Sequence, residues 1–357
     1  MRITSRLAFM LGLAGAAMVG VGSRAWAQGQ TPSVTVGGLG YLQYQYQFQT
    51  DSTINGHQNN FDVTRGYVNV IGKLGHGIYA RVTTDVTRCC GAGQLTIRLK
   101  YAYVAWTPEN SPLTYKIGMI HTPWLDWEEA LWDYRMQGTM AIERGGYLTS
   151  SDFGAGIDGM FKYDKFNFQV VAVNGEGYGN APGDQRKDFE ARASFKIMNT
   201  DLPGRVGGLR LTAYGHIGKP TTGGDRDRVI GMLSYKSKML TLAGEYGWTR
   251  DSTTGGGPGA VTPVAKRDGR VISGYGVLNI PNSKVALLAR VDFTDPNTAS
   301  AATNDQLTRF IGGVSYQLSP NLRLLANVDN VSRQGGNYNN AFNATRTAGA
   351  FVAQISF

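Results

Sequence analysis

Leu95-Thr-Ile-Arg-Leu-Lys-Tyr-Ala-Tyr103 alternates without a break, with Leu, Ile, Leu, Tyr and Tyr at odd positions and Thr, Arg, Lys and Ala at even ones. Successive side chains of an extended strand point to opposite faces, so this period of two predicts a strand with one apolar face and one polar, cationic face. The same alternation runs through Asp188-Phe-Glu-Ala-Arg-Ala-Ser-Phe-Lys196, Lys284-Val-Ala-Leu-Leu-Ala-Arg-Val-Asp292 and Asn321-Leu-Arg-Leu-Leu-Ala-Asn-Val-Asp329. Reading every such segment gives about sixteen strands: 34–48, 61–72, 78–88, 94–106, 113–120, 153–163, 166–174, 188–197, 208–217, 227–236, 239–249, 269–280, 284–293, 305–317, 321–332 and 345–357.

The connections fall into two classes. Even-numbered strands end mostly in tight turns such as Lys73-Leu-Gly-His-Gly77, Tyr163-Asp-Lys165, Ser237-Lys238 and Pro281-Asn-Ser283, with 198–207 the longer exception. Odd-numbered strands lead into long polar loops at 49–60, 121–152, 175–187, 218–226, 250–268, 294–304 and 333–344, with 89–93 the short exception. Short turns at one end, long loops at the other and an even strand count define a transmembrane antiparallel β-barrel of the outer-membrane type. The spacing, about 21 residues per strand and connection, accommodates membrane strands of ~9–11 residues.

Composition agrees. Gly makes up 48 of 357 residues, roughly twice the usual share of about 7%. That excludes an all-helical enzyme, because each Gly inside a helix costs about 1 kcal/mol relative to Ala. Aromatics at 11% supply too much apolar surface for a disordered chain. The two cysteines, Cys89 and Cys90, are adjacent and can supply neither a disulfide framework nor a four-ligand zinc site. A vicinal disulfide, an intermolecular link and two thiols all remain open for them.

Arg2 and Arg6 precede the apolar run from Leu7 to Val21, and Ala25-Trp-Ala27 follows it, which is the pattern of a secretory signal peptide cleaved after residue 27. Its removal takes away Arg2, Arg6 and Arg24 and no acid, so the net charge falls from +9 to +6. Residues 28–357 then form one barrel domain, with no apolar stretch long enough for a spanning helix. The last strand alternates to its end and stops on Phe357, like the C-terminal signature that assembly machinery reads in bacterial outer-membrane proteins. Phe195, Tyr235, Tyr316, Trp248 and Phe293 fall near strand ends, where interfacial aromatic girdles belong.

Alternation assigns to the inner face Arg65, Arg81, Arg98, Lys100, Lys116, Arg192, Lys196, Arg210, Lys236, Lys284, Arg290, Arg309, Arg323 and Arg346, against the acids Asp85, Asp188, Glu190, Glu245, Asp292 and Asp329. A lumen so lined lowers the energy of an anion and repels cations. The longest loop, 121–152, carries Trp124, Trp127 and Trp132 beside Asp126, Glu128, Glu129, Asp133 and Arg135. So apolar a loop is expected to fold inward, narrow the lumen and set its acids opposite the basic wall. His57, His76, His121 and His216 show no metal-ligand spacing and are read as solvated; no cofactor or metal is expected. Gly255-Gly-Gly-Pro-Gly259 lacks the Lys-Ser/Thr of a phosphate loop and reads as a flexible connector, and positives spread along strand faces form no nucleic-acid patch.

Two segments resemble a known family. Phe61-Asp-Val-Thr-Arg-Gly-Tyr-Val-Asn-Val-Ile-Gly-Lys-Leu-Gly-His-Gly-Ile-Tyr-Ala-Arg-Val-Thr-Thr-Asp85 is similar to the early hairpin of the phosphate-selective porin O and P family. Tyr115-Lys-Ile-Gly-Met-Ile-His-Thr-Pro-Trp124 is similar to that family's strand, Gly and Pro leading into a constriction loop. The resemblance implies a sixteen-stranded, usually trimeric outer-membrane channel that can favour anions. The arginine ladder and lysine cluster of its phosphate-binding members have no residue-by-residue match here.

The expectation is a passive porin in the bacterial outer membrane, with modest anion preference, small anionic or polar solutes, and lipid bilayer, lipopolysaccharide and sister subunits of a homotrimer as partners. The rival readings are a receptor or adhesin barrel acting through its long loops, a smaller membrane-embedded hydrolase, and a barrel sheathing a periplasmic redox partner.

Overall fold

The computed structural model describes residues 31–49, 59–89, 93–181, 183, 185–220, 224–254, 263–298, 305–333 and 346–357. The expected signal peptide, His57, the Cys89–Cys90 side chains and the glycine-rich connector lie outside the described residues.

Sixteen strands follow one another in chain order: β1 (Ser33–Gln49), β2 (Asn59–Gly75), β3 (Ile78–Cys89), β4 (Gln94–Trp106), β5 (Leu113–His121), β6 (Ser151–Phe161), β7 (Phe166–Val173), β8 (Asp188–Met198), β9 (Gly208–Gly218), β10 (Arg226–Lys236), β11 (Leu240–Thr254), β12 (Pro263–Asn279), β13 (Val285–Asp295), β14 (Leu307–Ser319), β15 (Leu322–Arg333) and β16 (Arg346–Ser356). Each pairs antiparallel with its sequence neighbours, and β16 pairs back onto β1 to close the barrel, so every strand has a partner on both sides. β11 and β12 run five or six residues beyond the expected strand ends at 249 and 269.

Closure depends on small residues where backbones meet. Gly38 and Phe357 exchange backbone hydrogen bonds of 2.8 and 3.1 Å, and the Phe357 ring lies where a Cβ on Gly38 would sit, 2.2 Å from its Cζ. Gly118 in β5 has φ +123°, and a Cβ there would stand 2.3 Å from the Ala102 carbonyl oxygen. Only glycine lets β5 press this closely on β4.

The outward face is apolar, with Ile97 and Ile217 exposed to 73% and 69%. Phe195 and Tyr316 are exposed on the outside as expected, and the outside of this closed barrel matches the lipid-facing belt of a transmembrane barrel.

The alternation of β4 is not continuous. Thr83 pairs with Tyr101 and Thr84 with Leu99, so Lys100 is an extra residue with no partner opposite. This β-bulge shifts the phase by one. Up to Lys100 the even positions face inward; beyond it Tyr101, Tyr103 and Ala105 are buried inside while Val104 and Trp106 are exposed. The expected outward placement of Tyr101 and Tyr103 is therefore corrected.

Candidate functional site

The connection between β5 and β6 turns into the barrel. It begins with helix α1 (Pro123–Trp132), continues through a 3-10 turn (Arg135–Gln137) and ends in the short helix α2 (Ala141–Arg144). Pro123 occupies the first helical position, where its missing N–H costs nothing, and Asp133 closes the helix in the left-handed conformation with φ 59°.

Trp124, Trp127 and Trp132 are fully buried, as are Leu125, Leu131 and Met140. They pack on the inner wall, where Tyr214, Ile230, Met232, Val271, Tyr275 and Leu288 form one apolar cluster with them. Trp132 meets Tyr275 edge-on at 5.0 Å, and Trp124 lies 5.7 Å from Tyr214. Each indole removes on the order of 150–250 Å² from water, roughly 4–6 kcal/mol at about 25 cal/mol per Å² before entropy costs.

Polar ties fix the same segment. Lys236 donates to the Ala130 and Leu131 carbonyls at 2.8 and 2.9 Å, satisfying the last carbonyls of α1 with a cation at its negative end. Tyr134 and Ser315 hydroxyls are 2.7 Å apart, Arg290 donates to the Thr139 carbonyl at 3.3 Å, and Arg323 donates to the Asp133 carbonyl at 3.0 Å.

The loop carboxylates divide into two groups. Asp126 pairs with Arg205; Glu129 lies 2.8 Å and Glu143 3.1 Å from Arg135; Asp133 lies 3.4 Å from Arg323. Burial pushes the Asp126 carboxyl up, but Arg205 and then His121 outweigh it and hold the group below the ordinary carboxylate range. Glu128 points the other way. It is fully buried, and burial followed by the neighbouring Glu245 pushes it well above the usual value. Glu128 therefore faces the wall behind the loop rather than the lumen.

A cavity of about 390 Å³ separates the loop from the wall of β1–β5, with Asp126, Glu129 and Arg135 on one side and Tyr67, Arg81 and Lys100 on the other. Arg81 donates to Asn69 Oδ1 at 2.9 Å and stands over the Tyr101 ring at 4.8 Å. Arg98 donates to the Tyr178 hydroxyl at 2.7 Å and lies 3.1 Å from Asp85, which is also 3.8 Å from Arg65. Lys100 donates to the Tyr67 hydroxyl at 2.8 Å. Among the described residues Asp85 is the one carboxylate within ion-pair distance of any of these four cations, and it reaches Arg65 and Arg98 only.

The other expected lumen cations do different work. Lys116 pairs with Asp158, and Arg192 donates to Asn167 at 2.7 Å with its guanidinium 4.5 Å from the Trp127 ring. Arg309 lies 3.0 Å from Asp329. Arg210 and Arg290 point inward away from this cavity, one held by Asp164 and the other 2.7 Å from Asp292, so they brace the barrel. Lys284 sits in an exposed turn before β13 and Arg346 opens β16. His121 and His216 are buried, contrary to the solvated reading: His121 stacks on Tyr101 at 3.9 Å and His216 lies 2.8 Å from Asp188. Among the described residues no group of side chains could hold a metal ion.

Sequence reasoning missed Arg205, Tyr67, Tyr101 and Tyr178. Arg205 had a signal, since it lies in the one long connection at the short-turn end, 198–207. Tyr67 and Tyr101 became visible only through strand pairing, and Tyr178 only through the course of the loop between β7 and β8.

No protein-family model and no curated protein matches the sequence. Solved structures do. An anion-selective porin from Comamonas acidovorans is similar at TM-score 0.66 and 12% identity, covering 92% of this chain and 100% of that one. OmpT of Vibrio cholerae is similar at 0.62 and 13%, covering 93% and 99%, and Salmonella typhi OmpF in complex with daunomycin at 0.66 and 12%, covering 91% and 97%. At these identities the likeness is one of fold, and the fold is that of the bacterial outer-membrane porins.

Proposed function

We propose that the chain is an outer-membrane porin, a passive diffusion channel for small hydrophilic solutes with a preference for anions. The observation that carries this reading is the charge balance across the inner cavity. Asp126 and Asp133 each have an arginine beside them and Glu129 and Glu143 share one, whereas of Arg65, Arg81, Arg98 and Lys100 on the facing wall only Arg65 and Arg98 have a carboxylate, the shared Asp85, among the described residues. Three arginines, two of them from the barrel, offset most of the charge of the four loop carboxylates and the facing wall is positive, so an anion in the narrowing meets a favourable potential and a cation an unfavourable one. The field from wall to loop is accordingly weaker than four free loop acids would give.

Residues 122–150 act as the constriction, residues 1–27 as a cleaved signal peptide, and lipopolysaccharide and bilayer lipid meet the apolar exterior. The likeness of 61–85 and 115–124 to the phosphate-selective porin O and P family supports oxyanions, phosphate among them, as solutes. Assembly as a homotrimer is supported by the likeness in fold to OmpT of Vibrio cholerae, described in a trimer form at TM-score 0.58. Purified protein in a planar bilayer is expected to open stable, ohmic single-channel steps. Folded, heat-resistant protein that inserts without steps contradicts the channel and turns attention to a receptor acting through its loops.

A further inference from the structure

We propose that Tyr67 is the positioning residue of the anion-selective wall, its hydroxyl gathering Arg65 and Lys100 onto one uncharged oxygen; the inference rests on the anion preference proposed above. Arg65 Nη1 donates to the Tyr67 hydroxyl at 2.5 Å and Lys100 Nζ at 2.8 Å. The same ring lies 5.4 Å from the Arg65 guanidinium carbon and 4.8 Å from Lys100 Nζ.

Two like charges brought to one point repel, and proteins ordinarily hold them with a carboxylate. A carboxylate would also cancel a charge. A phenol accepts both hydrogen bonds and stays neutral far above pH 7, so it fixes the cations and leaves their field for a permeating anion. Lys100 shows what the arrangement leaves over. Lys100 is only 1% exposed, yet among the described residues one hydroxyl accepts a hydrogen bond from its three donors. The β4 bulge completes the device, because it turns both Lys100 and Tyr101 inward and places the Tyr101 ring 5.4 Å from the same ammonium. Arg81 follows the same rule, bonded to Asn69 through a neutral oxygen, whereas Arg98 bonds both the Tyr178 hydroxyl and the Asp85 carboxylate.

The test uses the whole protein in planar bilayers. Tyr67→Phe keeps the ring under both cations and removes only the hydroxyl. The expected result is a fall in the chloride-to-potassium permeability ratio of roughly two-fold or more, with single-channel conductance in symmetrical salt little changed. In an Arg65→Gln, Lys100→Gln background the same Tyr67→Phe change is expected to do nothing further, which a general loosening of the barrel would not reproduce. A Tyr67→Phe channel with the wild-type ratio overturns the role of Tyr67 and leaves the porin reading standing. An equal effect in both backgrounds overturns it too, by showing that the hydroxyl acts on something other than these two cations. A wild type without anion preference removes the reading on which the inference rests.

Discussion

Glu128 and Lys100 are both buried ionisable groups, and their surroundings give them opposite tasks. Glu128 is buried beside Glu245, and burial followed by that neighbour pushes its carboxyl well above the usual range. A carboxyl whose folded pKa is raised stabilises the fold below its ordinary range near 4.5, and the contribution is lost as pH climbs towards the raised value. Glu128→Gln mimics the protonated state at every pH. It is expected to raise the unfolding midpoint at about pH 8 and to leave it unchanged near about pH 4. A variant equally or less stable than wild type at about pH 8 would mean that Glu128 is ionised and partnered. Lys100 belongs to the cationic wall, and Arg98→Glu with Lys100→Glu is expected to lower anion preference. Unchanged permeability ratios would place both side chains outside the path of ions.

The decisive element is the loop between β5 and β6, and it shows where sequence is legible. Its three tryptophans signalled a loop that could not stay in water, and each is fully buried. What they pack on was less visible, because the inner face was read as polar throughout. The signal lay in segments apolar on both faces, such as Val229-Ile-Gly-Met-Leu233, where Ile230 and Met232 turn inward beneath the loop while Val229 and Leu233 face out. Strand positions were legible because a period of two is a property of one segment. The Lys100 bulge was not, since an extra residue exists only relative to the partner strand β3. Trp132→Ala opens a cavity under the loop at a cost of about 3–5 kcal/mol. It should appear as a lower unfolding midpoint and a noisier open-channel current; wild-type values of both would detach Trp132 from loop docking. Deleting residues 124–135 should raise conductance, and an unaltered conductance would move the loop out of the permeation path.

At the scale of the whole molecule, closure leaves two surfaces with different solvents. The outside meets lipid with exposed Ile, Leu, Val and Phe, and the inside carries charges that are braced on one half and left in surplus on the other. Half of the interior, from β9 round to β16, is spent on docking the loop, so the remaining cavity lies beside β1–β5 and its tyrosine-held cations. The central claim is that this surplus sets the ion preference of the channel. Its most direct test is the reversal potential of single wild-type channels in a planar bilayer under a KCl gradient. A potential displaced towards the chloride equilibrium value is the expected result, and one displaced towards potassium would contradict it.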